Sequence, residues 1–363
     1  MITKYADLLL AALFALFTGL FVPFSPSRLL ESINWNLLGI LFCLMTITAE
    51  IGKLGIPRAL CLYFFAGKTT VRKMARFFIF ACFFSSMVIT NDISLIIFVP
   101  FSISIFIEIR ERTLLIPLIT LETIAANMGS TLTPIGNPQN LFIYDFYHLS
   151  LPAFLSITAP VVLISGVLIY LAGCLFPKDR SPALPPMEMV VPKKKSLLLL
   201  FLLLLCILHV LRLIPLPLVM AAVVPAMILL DRGVFFHVDY KLLLLFALLF
   251  MAVGNLGRMD VISTLAREAL TGREFWVSLL LSQFISNVPA TVMLSSYTDN
   301  AAPLLLGVDI GGLGTLIASM ASLISFKAYA NIPSAGKKEY LALFSLYNLV
   351  LLAVLILWYL AVY

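Results

Sequence analysis

The chain is written as long apolar runs broken by short polar ones. Runs of about bilayer length fall at roughly 6–23, 36–50, 113–147, 152–176, 196–213, 215–231, 238–253, 300–328 and 340–361. About 20 apolar residues in a helix cross the hydrocarbon layer, and the two-residue alternation of a membrane barrel is absent. The pattern predicts an all-α polytopic membrane protein with nine full crossings. Two further apolar segments, about 74–107 and 274–298, each begin and end on one side of the membrane, either as paired spans or as re-entrant hairpins.

Two polar knots interrupt those segments. Ser86-x-x-x-Thr90-Asn91 and Ser282-x-x-x-Ser286-Asn287 lie 196 positions apart. Hydroxyls and carboxamides at membrane depth are costly unless they bind something or one another. Each knot is followed by a second break in the helical pattern. In the first half it runs from Asn127 to Asn140 and includes Gly129, Ser130, Thr133-Pro134-Ile135-Gly136-Asn137-Pro138 and Gln139. In the second it runs from Gly307 to Thr315, with Asp309, Gly311, Gly312 and Gly314. Gly and Pro let a helix unwind, and unwound backbone at that depth survives only where it lines a cavity or is buried in protein.

Composition strengthens the membrane reading. The 363 residues are 62% hydrophobic and 12% charged, against about 25% charged in a soluble domain. The net charge of +6 reflects the positive-inside bias rather than nucleic-acid binding. With the N-terminus cytoplasmic and the C-terminus outside, nineteen of the 24 Lys and Arg fall on the cytoplasmic side. The proline-rich stretch 177–195, ending in Lys193-Lys194-Lys195, is then a cytoplasmic linker. The N-terminal run Leu8–Val22 is read as a retained first span, since no small-x-small cleavage site precedes Pro23. Cys43, Cys61, Cys82, Cys174 and Cys206 lie in apolar segments without metal-ligand spacing and are read as small core residues.

The two halves repeat. Asn34-Trp35-Asn36-Leu37-Leu38 resembles Asp239-Tyr240-Lys241-Leu242-Leu243, 205 positions on. Gly52-Lys53 matches Gly257-Arg258 at the same offset, and Ser130-Thr131-Leu132 matches Gly314-Thr315-Leu316 at an offset of 184. Five crossings separate span 6–23 from its counterpart 215–231, so the second half is expected upside down. This divides the chain into a first inverted repeat (1–176), the linker 177–195, an extra helix 196–213, and a second inverted repeat (214–363). Inverted repeats with interrupted helices mark secondary transporters.

The chemistry suits a cation and an anion bound together. Ser86, Thr90 and Asn91 with carbonyls near Gly129 and Ser130, and Ser282, Ser286 and Asn287 with carbonyls near Gly312 and Gly314, are candidate ligands for a coupling Na⁺. Half-helix N-termini facing inward attract an anion without intramembrane Lys or Arg. Thr90, Asn91, Asp92, Asn137, Ser286, Asn287 and Thr315 are the candidate substrate-binding residues. Ser, Thr and Asn also glue helices together, but two copies beside Gly/Pro breaks favour a site. Asp92 and Glu122 are candidate proton or ion carriers, with a helix N-cap as the plainer role for Asp92. Asp309 is expected to cap the second break. His148, His209 and His237 are dispersed, no metal site beyond Na⁺ is expected, and no catalytic motif appears.

At these residues the chain resembles the ion transporter superfamily, which includes arsenite/anion permeases, sodium/proton antiporters, citrate transporters and divalent-anion/sodium symporters. The resemblance covers nearly the whole chain. It rests on Thr90-Asn91-Asp92 with Phe98-Val99-Pro100, on Gly129-Ser130 with Thr133–Asn140, on Ser286-Asn287-Val288-Pro289-Ala290-Thr291, and on Gly311–Thr315. It implies re-entrant hairpins, elevator-like movement of the transport unit and a homodimer in the plasma (inner) membrane. Where the symporters carry Ser-Asn-Thr at each tip, this chain reads Thr-Asn-Asp and Ser-Asn-Val, which argues against a plain dicarboxylate. The expectation is a cation-coupled secondary transporter of a small anion or oxyanion, driven by Na⁺ or H⁺ and needing no other cofactor. The alternative is sodium/proton antiport or arsenite-type export. A membrane-embedded enzyme is a remote third.

Overall fold

The computed structural model describes residues 6–23, 25–55, 69–178, 180, 192–333 and 335–363. Among them there are helices and no strands. In chain order the helices are α1 (Ala6–Gly19), α2 (Pro26–Glu31), α3 (Trp35–Lys53), α4 (Val71–Ile89), α5 (Asn91–Glu108), α6 (Leu115–Ser130), α7 (Pro138–Phe146), α8 (Leu151–Ala172) and α9 (Lys193–Val210). Then come α10 (Leu216–Leu230), α11 (Tyr240–Leu256), α12 (Asp260–Leu270), α13 (Glu274–Ile285), α14 (Asn287–Ser295), α15 (Ala301–Ile310), α16 (Met320–Ala330) and α17 (Lys337–Val362). Trp35–Lys53, Asn91–Glu108, Arg112–Ser130, Leu151–Leu175 and Lys337–Val362 are long and apolar enough to cross a membrane, and several shorter helices are equally apolar. This architecture fits a polytopic membrane protein.

The interruptions fall where the polar breaks lie. Thr90 separates α4 from α5, Ser286 separates α13 from α14, and the two Gly/Pro stretches separate α6 from α7 and α15 from α16. Pro138 occupies the first turn of α7, where its missing N–H costs nothing. The side chain of Asn34 caps α3 by accepting from the Leu37 N–H at 2.9 Å. Asp239 caps α11 in the same way, from Leu242 at 3.1 Å.

Two helices depart from the sequence reading. Short α2 and α12 lie in stretches read there as loops, because neither is long enough to register as a span. The linker 181–191, Cys61, Arg58, Lys68 and Lys4 lie outside the described residues. Cys43, Cys82 and Cys206 are buried, as expected of core residues, whereas Cys174 is only half-buried.

Packing forms two apolar cores. One joins α4, α5, α6, α8, α16 and α17 through Phe78, Phe98, Phe106, Ile119 and Phe344. The other joins α1, α3, α7, α9, α10 and α11 through Leu44, Phe142, Leu202, Val223 and Phe246. Helices α13 and α15 contribute to the first core through Phe275 and Ile310, while α14 and α15 contribute to the second through Val292 and Leu305. Lipid tails are as apolar as these side chains, so such helices are held by close packing and interhelical hydrogen bonds. Contacts cross between the halves: α1 packs on α11 and α10 on α3, while α5 meets α16 and α14 meets α7.

At one end of the scaffold, Lys53 hydrogen-bonds Asp231, just past α10. That bond holds the Asp231 carboxyl below the usual carboxylate range. A depressed carboxylate stabilises the fold above its unfolded pKa of about 3.9 and loses that contribution as pH falls through the lowered value. Asp231→Asn should therefore flatten the decline of thermal stability below about pH 4. Its effect at neutral pH should be small and should vanish in high salt.

Candidate functional site

The two tips share one backbone geometry. Thr90 has φ 72° and ψ 151°, and Ser286 has φ 73° and ψ 155°. Positive φ in a non-glycine residue costs about 1–3 kcal/mol and persists where surrounding structure enforces it. The enforcing bonds match. The Asn91 N–H donates to Gly136 O at 3.1 Å, and the Asn287 N–H donates to Ala318 O at 3.0 Å. Each tip is thereby tied to the unwound stretch of its own half.

The same stretches make a second parallel contact. Thr133 Oγ1 donates to Met87 O, and Thr315 Oγ1 donates to Gln283 O at 3.0 Å. Gly129 presses against Phe83 O and Ser86 Oγ, and Gly311 against Leu279 and Ser282. These contacts pair Gly129 with Gly311, Thr133 with Thr315 and Gly136 with Ala318, all at an offset of 182. The breaks therefore align two residues away from the sequence match of Thr131 with Thr315. The break in each half carries a threonine that locks it to the adjoining hairpin, and matching letters alone selected the wrong partner.

The new register also pairs Asn127 with Asp309. Asn127 is a cross-link of the centre: its Oδ1 accepts from Asn91 Nδ2 at 3.1 Å and from Ser319 Oγ at 3.1 Å. Asn127 Nδ2 is buried without a partner. Asp309 is not the cap expected from the sequence. It lies in the last turn of α15 with its carboxylate turned toward α7, where Oδ1 accepts from Gln139 Nε2 at 3.4 Å. Its Oδ2 is buried and unpartnered.

Both tips and both breaks converge on one small cavity. It has a volume of about 20 Å³ and is lined by Asn91, Asp92, Pro138, Gln139, Leu242, Asn287, Val288, Ser319 and Met320. That is room for a water-sized guest. Asp92 is the charged member of this lining, and no Lys or Arg belongs to it. Asp92 caps nothing: Thr90 holds the N-cap position of α5, and Asp92 Oδ1 is buried without a partner. A larger cavity of about 400 Å³ lies between α3, α7, α9 and α10, lined in part by Asn36, Asp145, His209 and Arg212, and touches neither tip.

The other expected site residues divide clearly. Thr90 and Ser286 form the tips, and Ser286 Oγ lies 3.4 Å from Ala318 O. Asn137 caps α7 and donates to Ser130 Oγ at 3.2 Å. Ser86 and Ser282 are fully buried and donate to carbonyls of their own helices, Phe83 O at 2.9 Å and Ser278 O at 2.7 Å. Gly312 lies against Asn287 Nδ2. Gly314 has φ +107° and touches the Gln283 side chain. Thr315 is exposed and bound to Gln283, outside the cavity lining. Glu122 is fully buried on α6, away from the cavity, where its Oε2 accepts from Ser102 Oγ at 3.0 Å and its Oε1 is unpartnered. Gln139, Gln283 and Ser319 were not anticipated; Gln139 was readable only as part of the Pro134–Asn140 stretch. Among the described residues no cluster of His, Cys, Asp and Glu could hold a metal ion.

Comparison with known proteins gives a consistent picture. A family profile described as Citrate transporter (CitMHS) matches residues 1–326. "Uncharacterized transporter MJ0456" of Methanocaldococcus jannaschii is 34% identical over 318 residues, covering 84% of this chain and 83% of that protein. "Inner membrane protein YbiR" of Escherichia coli is 32% identical over 316 residues, covering 85% and 83%.

Proposed function

The chain belongs to the CitMHS citrate transporter family, and on that premise we propose a cation-coupled secondary active transporter of a small anion or oxyanion. The observation that carries the reading is the single small cavity closed by both tips and by the first turns of α7 and α16. Four chain interruptions meeting at one point are what a substrate site between repeated halves requires. The N-terminal turn of α7 brings Pro138 and Gln139 to the cavity, so the positive end of that helix dipole faces an anion there. Asp92 supplies the charge that a cation would balance.

The reading includes two inverted repeats, 1–176 and 214–363, with re-entrant hairpins at 74–107 and 274–298, nine crossings and a cytoplasmic N-terminus. It is supported by the equal tip geometry, the matched N-caps Asn34 and Asp239, and the crossed packing of α1 on α11 and α10 on α3. The small volume of the cavity fits a closed state, and elevator-type movement of the first core against the second would open it. A homodimer in the plasma (inner) membrane completes the proposal.

Sodium/proton antiport is the second reading. It is favoured by Asp92 as the charge of the cavity and by the buried carboxylate of Glu122. Proteoliposomes given citrate and other small anions under separate Na⁺ and pH gradients decide between them. Anion uptake that follows either gradient supports the first reading. Proton movement driven by Na⁺ with no anion present supports the second and overturns the first.

A further inference from the structure

Gln283 lies on α13, three residues before the Ser286 tip. Its carboxamide nitrogen faces three backbone carbonyls: Gly311 O at 2.7 Å, Leu313 O at 3.0 Å and Leu279 O at 3.3 Å. Its carboxamide oxygen accepts the Thr315 N–H at 3.0 Å. The orientation is fixed by those partners, because a flipped amide would set its oxygen against carbonyl oxygens. A partly positive NH₂ group thus fills a cage of carbonyl oxygens at the unwound end of α15. Converging carbonyl oxygens are also the ligands that hard cations take.

The hairpin of the first half carries no such group. The residue corresponding to Gln283 is Met87, whose thioether cannot donate. Gly129 O, the counterpart of Gly311 O, receives the turn N–H of Leu132 at 3.1 Å. Thr131 O, the counterpart of Leu313 O, receives Asn140 Nδ2 at 3.2 Å from α7. No side chain from the hairpin helix bridges these carbonyls as Gln283 does in the second half.

We propose that the Gln283 carboxamide stands in place of a coupling cation at the second break, so that this chain holds a cation at the first break alone. The inference rests on the reading of the two breaks as cation sites. It makes Gln283 a positioning residue that sets cation stoichiometry and leaves Gly312 and Gly314 out of any cation site in the wild-type protein.

The test is equilibrium binding of radiolabelled sodium to the purified full-length protein in detergent, with choline as the ionic-strength control. Wild type is expected to bind one Na⁺ per chain, and Gln283→Ala one more, since water and a cation then fill the vacated cage. A wild type that binds none, with a variant that binds one, sinks the sodium-coupling reading and overturns the cation at the first break, and leaves only the role of Gln283 as a cation stand-in. Two Na⁺ per wild-type chain overturns it, and so does an equal number bound by wild type and a monodisperse variant. Should Gln283→Ala fail to fold, Gln283→Met, which copies the first half, carries the same prediction, and the wild-type count stands on its own.

Discussion

Replacing Gly129 with alanine is expected to leave no folded transporter. A Cβ at this position would lie 2.0 Å from Phe83 O, 2.8 Å from Phe83 C and 2.6 Å from Ser86 Oγ. Two of the three atoms are backbone, so no rotamer change relieves the overlap. Helix α6 would have to move off α4, and this contact also holds the first tip in register with the first break. Overpacking of a tight core costs about 1–3 kcal/mol when side chains can adjust. With backbone in the way the cost should reach about 3 kcal/mol or more, a large part of the roughly 5–15 kcal/mol that holds a typical domain. Thermal unfolding of detergent-solubilised protein, read beside size-exclusion profiles, checks this. Gly257→Ala is the control, because the nearest atom to its added Cβ is its own Val253 O at 3.5 Å. It should unfold within error of the wild type.

Replacing Asp92 with asparagine should leave the fold intact and remove coupled transport. The side chain reaches the cavity, its Oδ1 has no hydrogen-bond partner, and no basic residue of the lining neutralises it. Such a group is stabilised by what binds there, whether cation or proton. Asparagine keeps the shape and removes the charge. Losing one charge-assisted contact in a water-poor site costs about 1.5–3 kcal/mol, which corresponds to a fall of about 10–150-fold in coupled flux. Uptake rates in proteoliposomes, matched for inserted protein and compared with unchanged thermal stability, give the measurement. Unaltered flux would remove Asp92 from the coupling step.

The course of the chain was legible because the apolar runs and their interruptions are long-range features of the sequence. Both tips fall at the residues that the polar knots marked, Thr90 and Ser286, and the helices flanking them end within a few residues of the expected limits. Side-chain direction was not legible. Whether Asp309 caps its own helix or faces α7 depends on how α7 and α15 cross, which joins residues 170 positions apart. Gln283 reads as an ordinary polar residue on an apolar helix until Gly311 and Leu313, 28 and 30 positions on, fold back over it. The register of the breaks was missed for a similar reason. Thr131 and Thr133 flank the same turn, and only the hydrogen bond to Met87 O identifies Thr133 as the partner of Thr315.

The cavity between the tips is expected to be reached alternately from the two sides of the membrane. Val288 lines that cavity without donating or accepting through its side chain, so Val288→Cys reports on access without removing a polar contact. In a background with Cys43, Cys61, Cys82, Cys174 and Cys206 replaced, the variant is labelled with a membrane-impermeant maleimide applied to one side at a time, with and without a transported anion. Labelling from both sides, slowed by the anion, is the result expected of an alternating-access site. Labelling from one side alone at a rate that ignores every anion and cation tested would contradict it.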